Sequence, residues 1–435
     1  MATKQSSPSV PDPFPQYPCV EHGVWSEIPV DPPEGDHRLK LKDVAAAEAR
    51  SVKQGGVMTF HAVGCSGDFT KPGPGKQVAE AMAAQISRPR VYGGSSTALA
   101  PSFFFHLGDV VYKDDDPKDP TGKDQGKMYN EQFYTQYKSY GRTIFAIAGN
   151  HDCKLHPGEK HKKAAMLHFL DNFCAQKQKI GDDNQSDKRT TMVQPYPYWL
   201  LETPVAYVIG LFTNDLNGGQ LDDPMHKDAP QYKWLVQTLL DIKSANDDKA
   251  VLLALHYPPY SGAADFSQRG DPNLGPTPRR NPPAGILQPL GIVLQHAFQQ
   301  TGLFPHLVLS AHAHHYQRIT YTLAGGHEIP YLIAGSGGHV PIEKLGVSCW
   351  KKVTKIPDHP FDVALPRGLT LPPDDTAQVV AYNDDDTGFL RLTIDINRKQ
   401  ITGEFFAVSA SEDSASSPKL FESFVLDMAK RKVTK

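Results

Sequence analysis

Several broad protein classes are excluded by what this chain has little of. Its 435 residues include only five cysteines, Cys19, Cys65, Cys153, Cys174 and Cys349. The number is odd and the spacings are wide, so no disulfide framework follows. No run of 18 apolar residues occurs, so no segment reads as a hydrophobic membrane span. Neither sign of charge dominates. Lys and Arg total 45 against 48 Asp and Glu, a net charge of -3, which gives no reason to expect nucleic acid or an anionic membrane as a partner. The start of the chain has no apolar stretch ahead of its prolines, so the expectation is no secretory signal and a cytoplasmic location. No internal repeat with a period of roughly 20–50 residues is found. The basic tail Lys430, Arg431, Lys432 and Lys435 reads as a solvated terminus.

What is present is proline, glycine and an ordered series of short apolar runs. Residues 1–55 carry Pro8, Pro11, Pro13, Pro15, Pro18, Pro29, Pro32 and Pro33. Proline lacks an N–H and resists helices and central strands, so this part reads as an extended arm with one short helix over 42–50. From Val57 onward, apolar strands end at glycine or histidine: Val57 to Val63, Phe103 to Leu107, Thr143 to Ala148, Ala250 to Leu255 and Leu307 to Ser310. Between them lie segments of helical spacing, including Lys76 to Ile86, Met128 to Tyr137, Lys162 to Phe173, Gln231 to Ile242 and Leu287 to Gln300. Tyr198 to Leu201 and Ala206 to Phe212 read as strands of a second sheet, and Glu328 to Ala334 as one more. Two loops, Asp114 to Gly126 and Tyr260 to Pro283, are long enough to shape a binding site. Near the end, Phe389 to Ile396 and Gln400 to Val408 alternate around Asn397-Arg398-Lys399 as a hairpin, with Phe421 to Leu426 as an edge strand.

This order predicts an α/β protein with two mixed sheets face to face and helices outside. The expected divisions are an N-terminal extension over 1–55, a catalytic core over 56–345, and a loop plus hairpin over 346–435 that completes the second sheet.

Metal-binding side chains sit where those strands end. Asp109 follows Gly108, and a carboxylate there can bridge two cations because its oxygens face different ways. Tyr112, three residues on, can turn a phenol to the same side. Asn150 in Gly149-Asn150-His151-Asp152 brings a neutral carbonyl oxygen. His256, His312 and His314 bring imidazole nitrogens, and the spacing of the last pair puts both rings on one side of an extended segment. Mixed nitrogen and oxygen ligands suit Fe, Zn or Mn without choosing among them. Two such ions clamp a phosphoryl oxygen and sharpen a water into a nucleophile. His151 is placed to protonate the leaving oxygen or to bind phosphate, with Asp152 orienting its ring.

The blocks Gly108-Asp109-Val110-Val111-Tyr112, Gly149-Asn150-His151-Asp152, His256-Tyr257-Pro258-Pro259-Tyr260 and His312-Ala313-His314-His315-Tyr316-Gln317-Arg318 resemble the calcineurin-like metallophosphoesterases. Tyr112 is most similar to the purple acid phosphatase branch. The resemblance spans about residues 57–340. It implies a four-layer α/β/β/α sandwich and a dinuclear centre that hydrolyses a phosphate ester with metal-bound hydroxide. Asp109, Tyr112 and His314 are implied on one metal, with Asp109 bridging, and Asn150, His256 and His312 on the other. His151 takes the acid or phosphate-binding role.

Two positions depart from the family pattern. Cys65 stands where the first aspartate belongs, and Asp68 follows three residues later, so either can be the ligand. Ala311 replaces a glycine, which strains the turn if that site needs a positive φ. These departures support an alternative, a catalytically weakened relative that binds a phosphorylated ligand. Tyr316 and Arg318 are candidates for holding substrate, with core packing or an ion pair as the equal rival. His61 and His106 read as buried and hydrogen-bonded, His315 as pointing away from the metals, and His339 as part of a glycine-rich loop able to line the pocket, with a plain turn the stronger reading. The expected partner is a small phosphorylated substrate.

Overall fold

The strand Ala250–Ala254 has no polar side chain and is buried along its whole length. A strand of that kind needs cover on both faces. The protein, seen in a computed structural model, provides it with two sheets and two sets of helices. The structure describes residues 24–25, 35–67, 73–112, 125–155, 164–185, 189–213, 230–262, 290–340, 342–345, 360–363, 371–409 and 417–434.

The first sheet has seven strands. In spatial order they are Lys432–Thr434, Lys419–Asp427, Gln400–Val408, Thr387–Asp395, Val57–Val63, Phe103–His106 and Thr143–Ala146. The last three run parallel to one another, while the four C-terminal strands are antiparallel. The second sheet has nine, in the order Phe361–Asp362, Thr376–Asn383, Tyr316–Thr322, Glu328–Ala334, Leu307–Ser310, Ala250–Ala254, Ala206–Gly210, Trp199–Glu202 and Arg38–Lys40. Its four middle strands, from Glu328–Ala334 to Ala206–Gly210, are parallel.

Side-chain alternation sorts the layers. Ala250, Leu252 and Ala254 join one core with Phe60, Phe103 and Phe105, which lies between the sheets. Phe105 stacks across it on Trp199 at 5.8 Å. Val251, Leu253 and Leu255 join a second core with Leu235 and Leu239 of the helix Pro230–Ala245 and with Leu294 and Phe298 of the helix Leu290–Thr301. On the far face of the seven-stranded sheet, His61 Nε2 lies 2.9 Å from Oε1 of Gln85 on the helix Pro74–Ser87, and its Nδ1 lies 3.1 Å from the Tyr140 hydroxyl. Helix, sheet, sheet and helix form the four layers of the expected sandwich.

Three readings of the chain change. The segment before residue 56 is not wholly an arm. Arg38–Lys40 is an edge strand beside Trp199–Glu202, followed by the helices Leu41–Val44 and Ala46–Gly55. The C-terminal hairpin pairs with Val57–Val63, so it extends the sheet of the first motif strands and not the sheet of the later ones. A division at residue 345 therefore separates strands of both sheets, since Thr376–Asn383 also pairs with Tyr316–Thr322. The tail is docked, because Lys432–Thr434 pairs outside Lys419–Asp427 and Arg431 donates to the carbonyls of Phe304 and Pro305. Most of the two long loops, at 113–124 and 263–289, lies outside the described residues, as does Lys435.

Candidate metal centre

Every parallel strand of a twisted sheet delivers its C-terminal loop to the same margin, and ligands collect there. Asp109 arrives just beyond Phe103–His106, with its backbone in the left-handed region at φ 53°. Gly108 before it has φ 92°, and a Cβ there would lie 2.5 Å from Nδ1 of His256. Glycine is needed at that position by conformation and by space.

The Asp109 carboxylate is the hub. Its Oδ1 accepts the backbone N–H of His151 at 2.8 Å. Its Oδ2 accepts the Tyr112 hydroxyl at 3.0 Å and lies 3.2 Å from Nε2 of His256 and 3.9 Å from Sγ of Cys65. Tyr112 in turn lies 3.0 Å from Nε2 of His314. On the other side, Oδ1 of Asn150 is 3.0 Å from Nε2 of His256 and 3.1 Å from Nδ1 of His312. The six residues expected from sequence thus stand together, in two groups that share Asp109. The backbone of Tyr112 is fixed by Gln132, which accepts from its N–H at 2.7 Å and donates to its carbonyl at 2.8 Å. Gln132 comes from a π-helical turn, Tyr129–Thr135, where the sequence pattern predicts plain helix.

The tautomer of His256 bears on what can bind. Its Nδ1 is 2.8 Å from the Leu107 carbonyl oxygen, which can only accept. Nδ1 therefore carries a proton, and Nε2 is the atom turned toward Asp109 and Asn150, free to ligate when the ring is neutral. The nitrogen and oxygen atoms that converge here in a buried place form a donor set that fits a divalent metal. Cys65, Asp109 and His256 place one ligand atom each within 4.8 Å of one another.

Electrostatics agree with that geometry. Burial alone would raise Asp109, but the neighbouring His256, His151 and His312 outweigh it and hold its carboxyl well below the usual range. Burial would lower His256, and Asp109 reverses the sign. Burial takes His314 down to about 3 and also holds His312 well below the ordinary histidine value, so both rings are ready as neutral ligands. Burial first, then the Asp109 charge, pushes the Cys65 thiol and the Tyr112 phenol well up.

Cys65 occupies the first-motif position at the cluster, fully buried and at φ 53°. Asp68, its rival, lies outside the described residues. Ala311 is not strained. It has no positive φ; the left-handed residue of that turn is His312, at φ 62°. The methyl group of Ala311 faces Gly64, where any Cβ would come within 2.5 Å of it. Glycine at 64 makes room for alanine at 311.

His151 packs its ring 4.2 Å from that of Tyr112. Asp152 is oriented differently from the expectation. Its Oδ1 accepts from Val110 N–H at 2.9 Å and Val111 N–H at 3.3 Å, and its Oδ2 accepts from Gly149 N–H at 2.8 Å. Asp152 thus ties two motif loops together through their main chains. Burial and the Asp109 charge still push it up to about 7, against those donors.

Tyr316 and Arg318 do not line the cluster. They lie on the strand Tyr316–Thr322, which sequence reasoning missed, and both reach Glu422 of the other sheet. The Tyr316 hydroxyl donates to Oε2 of Glu422 at 2.6 Å, and Nε of Arg318 donates to Oε1 at 2.7 Å. The hydroxyl and guanidinium are held in a clasp between the sheets. His339, by contrast, belongs to the site. Its ring stacks on Tyr112 at 3.8 Å and stands 4.4 Å from His314, and its N–H donates to Cys65 O at 3.0 Å. Only the glycine run Gly335-Ser336-Gly337-Gly338 hinted at so close an approach. His315 turns away to the Glu343 carbonyl at 2.8 Å, and His106 meets Ser66 Oγ at 2.7 Å.

Comparison with known proteins bears on the same elements. Among curated proteins, none matches the chain. Solved structures that match include one described as "Structure of PhoD", 11% identical, with a TM-score of 0.49, covering 87% of this chain and 71% of that one. A family model described as calcineurin-like phosphoesterase matches residues 92–316, which carry Asp109, Asn150, His256, His312 and His314. That match spans more than half of the 435 residues, and the chain belongs to the calcineurin-like phosphoesterase family, a family of phosphoester hydrolases.

Proposed function

We propose that the protein hydrolyses a small phosphorylated substrate at a dinuclear metal centre, in the manner of the purple acid phosphatase branch. The observation that carries this reading is the position of Asp109 Oδ2, 3.0 Å from Tyr112 and 3.2 Å from His256, where one carboxylate joins two groups of ligand atoms. Asp109, Tyr112 and His314 would hold one cation, and Asn150, His256 and His312 the other, with Fe, Zn and Mn all compatible with these ligands. When bound, the pair supplies Lewis acidity that polarises a phosphoryl oxygen and acidifies water.

The chain's own residues set the geometry. Leu107 fixes the His256 ring through Nδ1, and the His151 N–H steadies the Asp109 carboxylate. The His151 imidazole, packed on Tyr112, binds the phosphate or hands a proton to the leaving oxygen. Asp152 contributes by keeping the Gly149 and Val110 loops in register.

A second reading is favoured by Cys65 alone: a weakened relative that binds a phosphorylated ligand without turning it over. One experiment separates the two. The protein is purified, its metals are counted, and a chromogenic phosphomonoester and a diester are assayed with added Mn, Fe and Zn. Turnover that disappears in Asn150→Ala and His256→Ala supports the enzyme. No turnover with any metal, with activity appearing in Cys65→Asp, supports the binding protein.

A further inference from the structure

We infer that Cys65 is a thiolate ligand of the cation held by Asp109 and His256, and that it sets the metal preference of the centre toward zinc. This inference rests on the metal-dependent reading above. The Asp109–His256 pair already has the spacing of a coordination edge, and Cys65 Sγ stands a few tenths of an ångström beyond one. With metal–nitrogen and metal–oxygen bonds of about 2.1 Å and a metal–sulfur bond of about 2.3 Å, neighbouring ligands at about 90–110° on one ion stand roughly 3.0–3.4 Å apart for nitrogen and oxygen and roughly 3.1–3.6 Å apart for oxygen and sulfur. The observed separations are 3.2 Å from His256 Nε2 to Asp109 Oδ2 and 3.9 Å from Cys65 Sγ to the same oxygen. The third, sulfur to nitrogen, falls within 4.8 Å.

The backbone around Cys65 is held for this purpose. The residue sits at φ 53° without being glycine. Its N–H donates to Gly108 O at 2.9 Å, its carbonyl accepts the His339 N–H at 3.0 Å, and the preceding Gly64 is tied at both ends to Ala334 and Gly337. Such clamping overcomes the preference of a side-chain-bearing residue to leave the left-handed region. On binding, the S–H bond breaks, the proton leaves to solvent, and the sulfur lone pair forms the bond to the cation. A thiolate is a soft donor. It favours zinc and disfavours the harder manganese and magnesium, which prefer carboxylates.

The test is X-ray absorption at the zinc edge of the zinc-loaded full chain, with phosphoester turnover measured on the same sample. The expected result is a sulfur scatterer at about 2.3 Å that is lost in Cys65→Ser and Cys65→Asp. Competition between zinc and manganese is expected to shift at least tenfold toward manganese in Cys65→Asp. Absence of the sulfur shell from the wild-type protein, or its persistence in Cys65→Ser, overturns the inference. If turnover is present without the sulfur shell, this inference fails and the proposed function stands. If the chain retains no metal, both fail. Should the variants not fold, the wild-type spectrum alone decides.

Discussion

The Nδ1 of His256 stands 2.8 Å from the carbonyl oxygen of Leu107, a residue 149 positions away in the chain. This contact commits the ring to one tautomer and leaves Nε2 facing Asp109 and Asn150. Replacing His256 or Asn150 by Ala removes a buried ligand atom without disturbing a strand. Both variants are expected to lose bound metal and at least a hundredfold in turnover of a chromogenic phosphomonoester. Asp109→Ala is expected to be worse than Asp68→Ala, since Asp109 touches both ligand groups. Metal analysis after dialysis is the check, and equal loss in the two aspartate variants makes Asp68 a ligand.

Glu422 receives Arg318 and Tyr316 from the opposite sheet, and Arg318 is 3% exposed. Removing one partner of a buried ion pair leaves the other charge uncompensated, at about 3–5 kcal/mol. Glu422→Ala should therefore lower unfolding stability by roughly that amount, with KM unchanged in the folded fraction. Urea denaturation and steady-state kinetics decide it. A raised KM with intact stability would restore Arg318 and Tyr316 as substrate-binding residues.

Asp152 accepts three backbone N–H groups with its two oxygens. Asn at this position sets an NH2 against at least one of those donors and leaves it unsatisfied, at about 1–3 kcal/mol. The expected outcome for Asp152→Asn is a lower Tm with the pH profile of turnover kept in shape. A shifted acidic or basic limb with an unchanged Tm is what ring orientation of His151 would produce.

Acid should destabilise the fold through buried histidines that are not among the proposed metal ligands. Burial holds His61, His106 and His306 neutral, each down at about 3 against an ordinary value of 6.5. Below 6.5 the unfolded chain takes up these protons and the folded chain does not. Stability is therefore full above 6.5 and declines as the pH falls toward 3. At pH 5 each such group contributes a loss of roughly 2 kcal/mol. Urea unfolding at pH 7 and pH 5 should show this, and His61→Gln should reduce the difference between the two by about one group's share. An unchanged difference in that variant would contradict the burial argument for His61.

The core strands were legible because burial on both faces leaves an unmistakable mark. Leu307–Ser310 and Glu328–Ala334 have the limits read from sequence, and the helices Pro74–Ser87, Pro230–Ala245 and Leu290–Thr301 lie within a few residues of theirs. Tyr316–Thr322 was not legible. Its inward and outward positions mix tyrosine, arginine and threonine, and what makes it a strand is pairing on both sides with Glu328–Ala334 and Thr376–Asn383. Without that strand, substrate binding and a packing or ion-pair role stand as equal readings of Tyr316 and Arg318, and the contacts to Glu422 decide for the second. A plain turn is the stronger reading of His339 from sequence for a related reason, since nothing local marks a ring that stacks on a tyrosine 227 positions earlier.

The sequence alone determined which chemical groups this protein has for binding metal and in what order the strands deliver them. Order and residue type are local properties, written in apolar runs that stop at Gly108, Gly149 and His256. Only the tertiary structure decided which atoms share a cation-sized space, and which charged groups hold sheets together instead. Those outcomes depend on ring tautomers, strand pairing and the closure of contacts across more than a hundred residues, such as His256 with Leu107 and Arg318 with Glu422. None of these has a local signature in the chain.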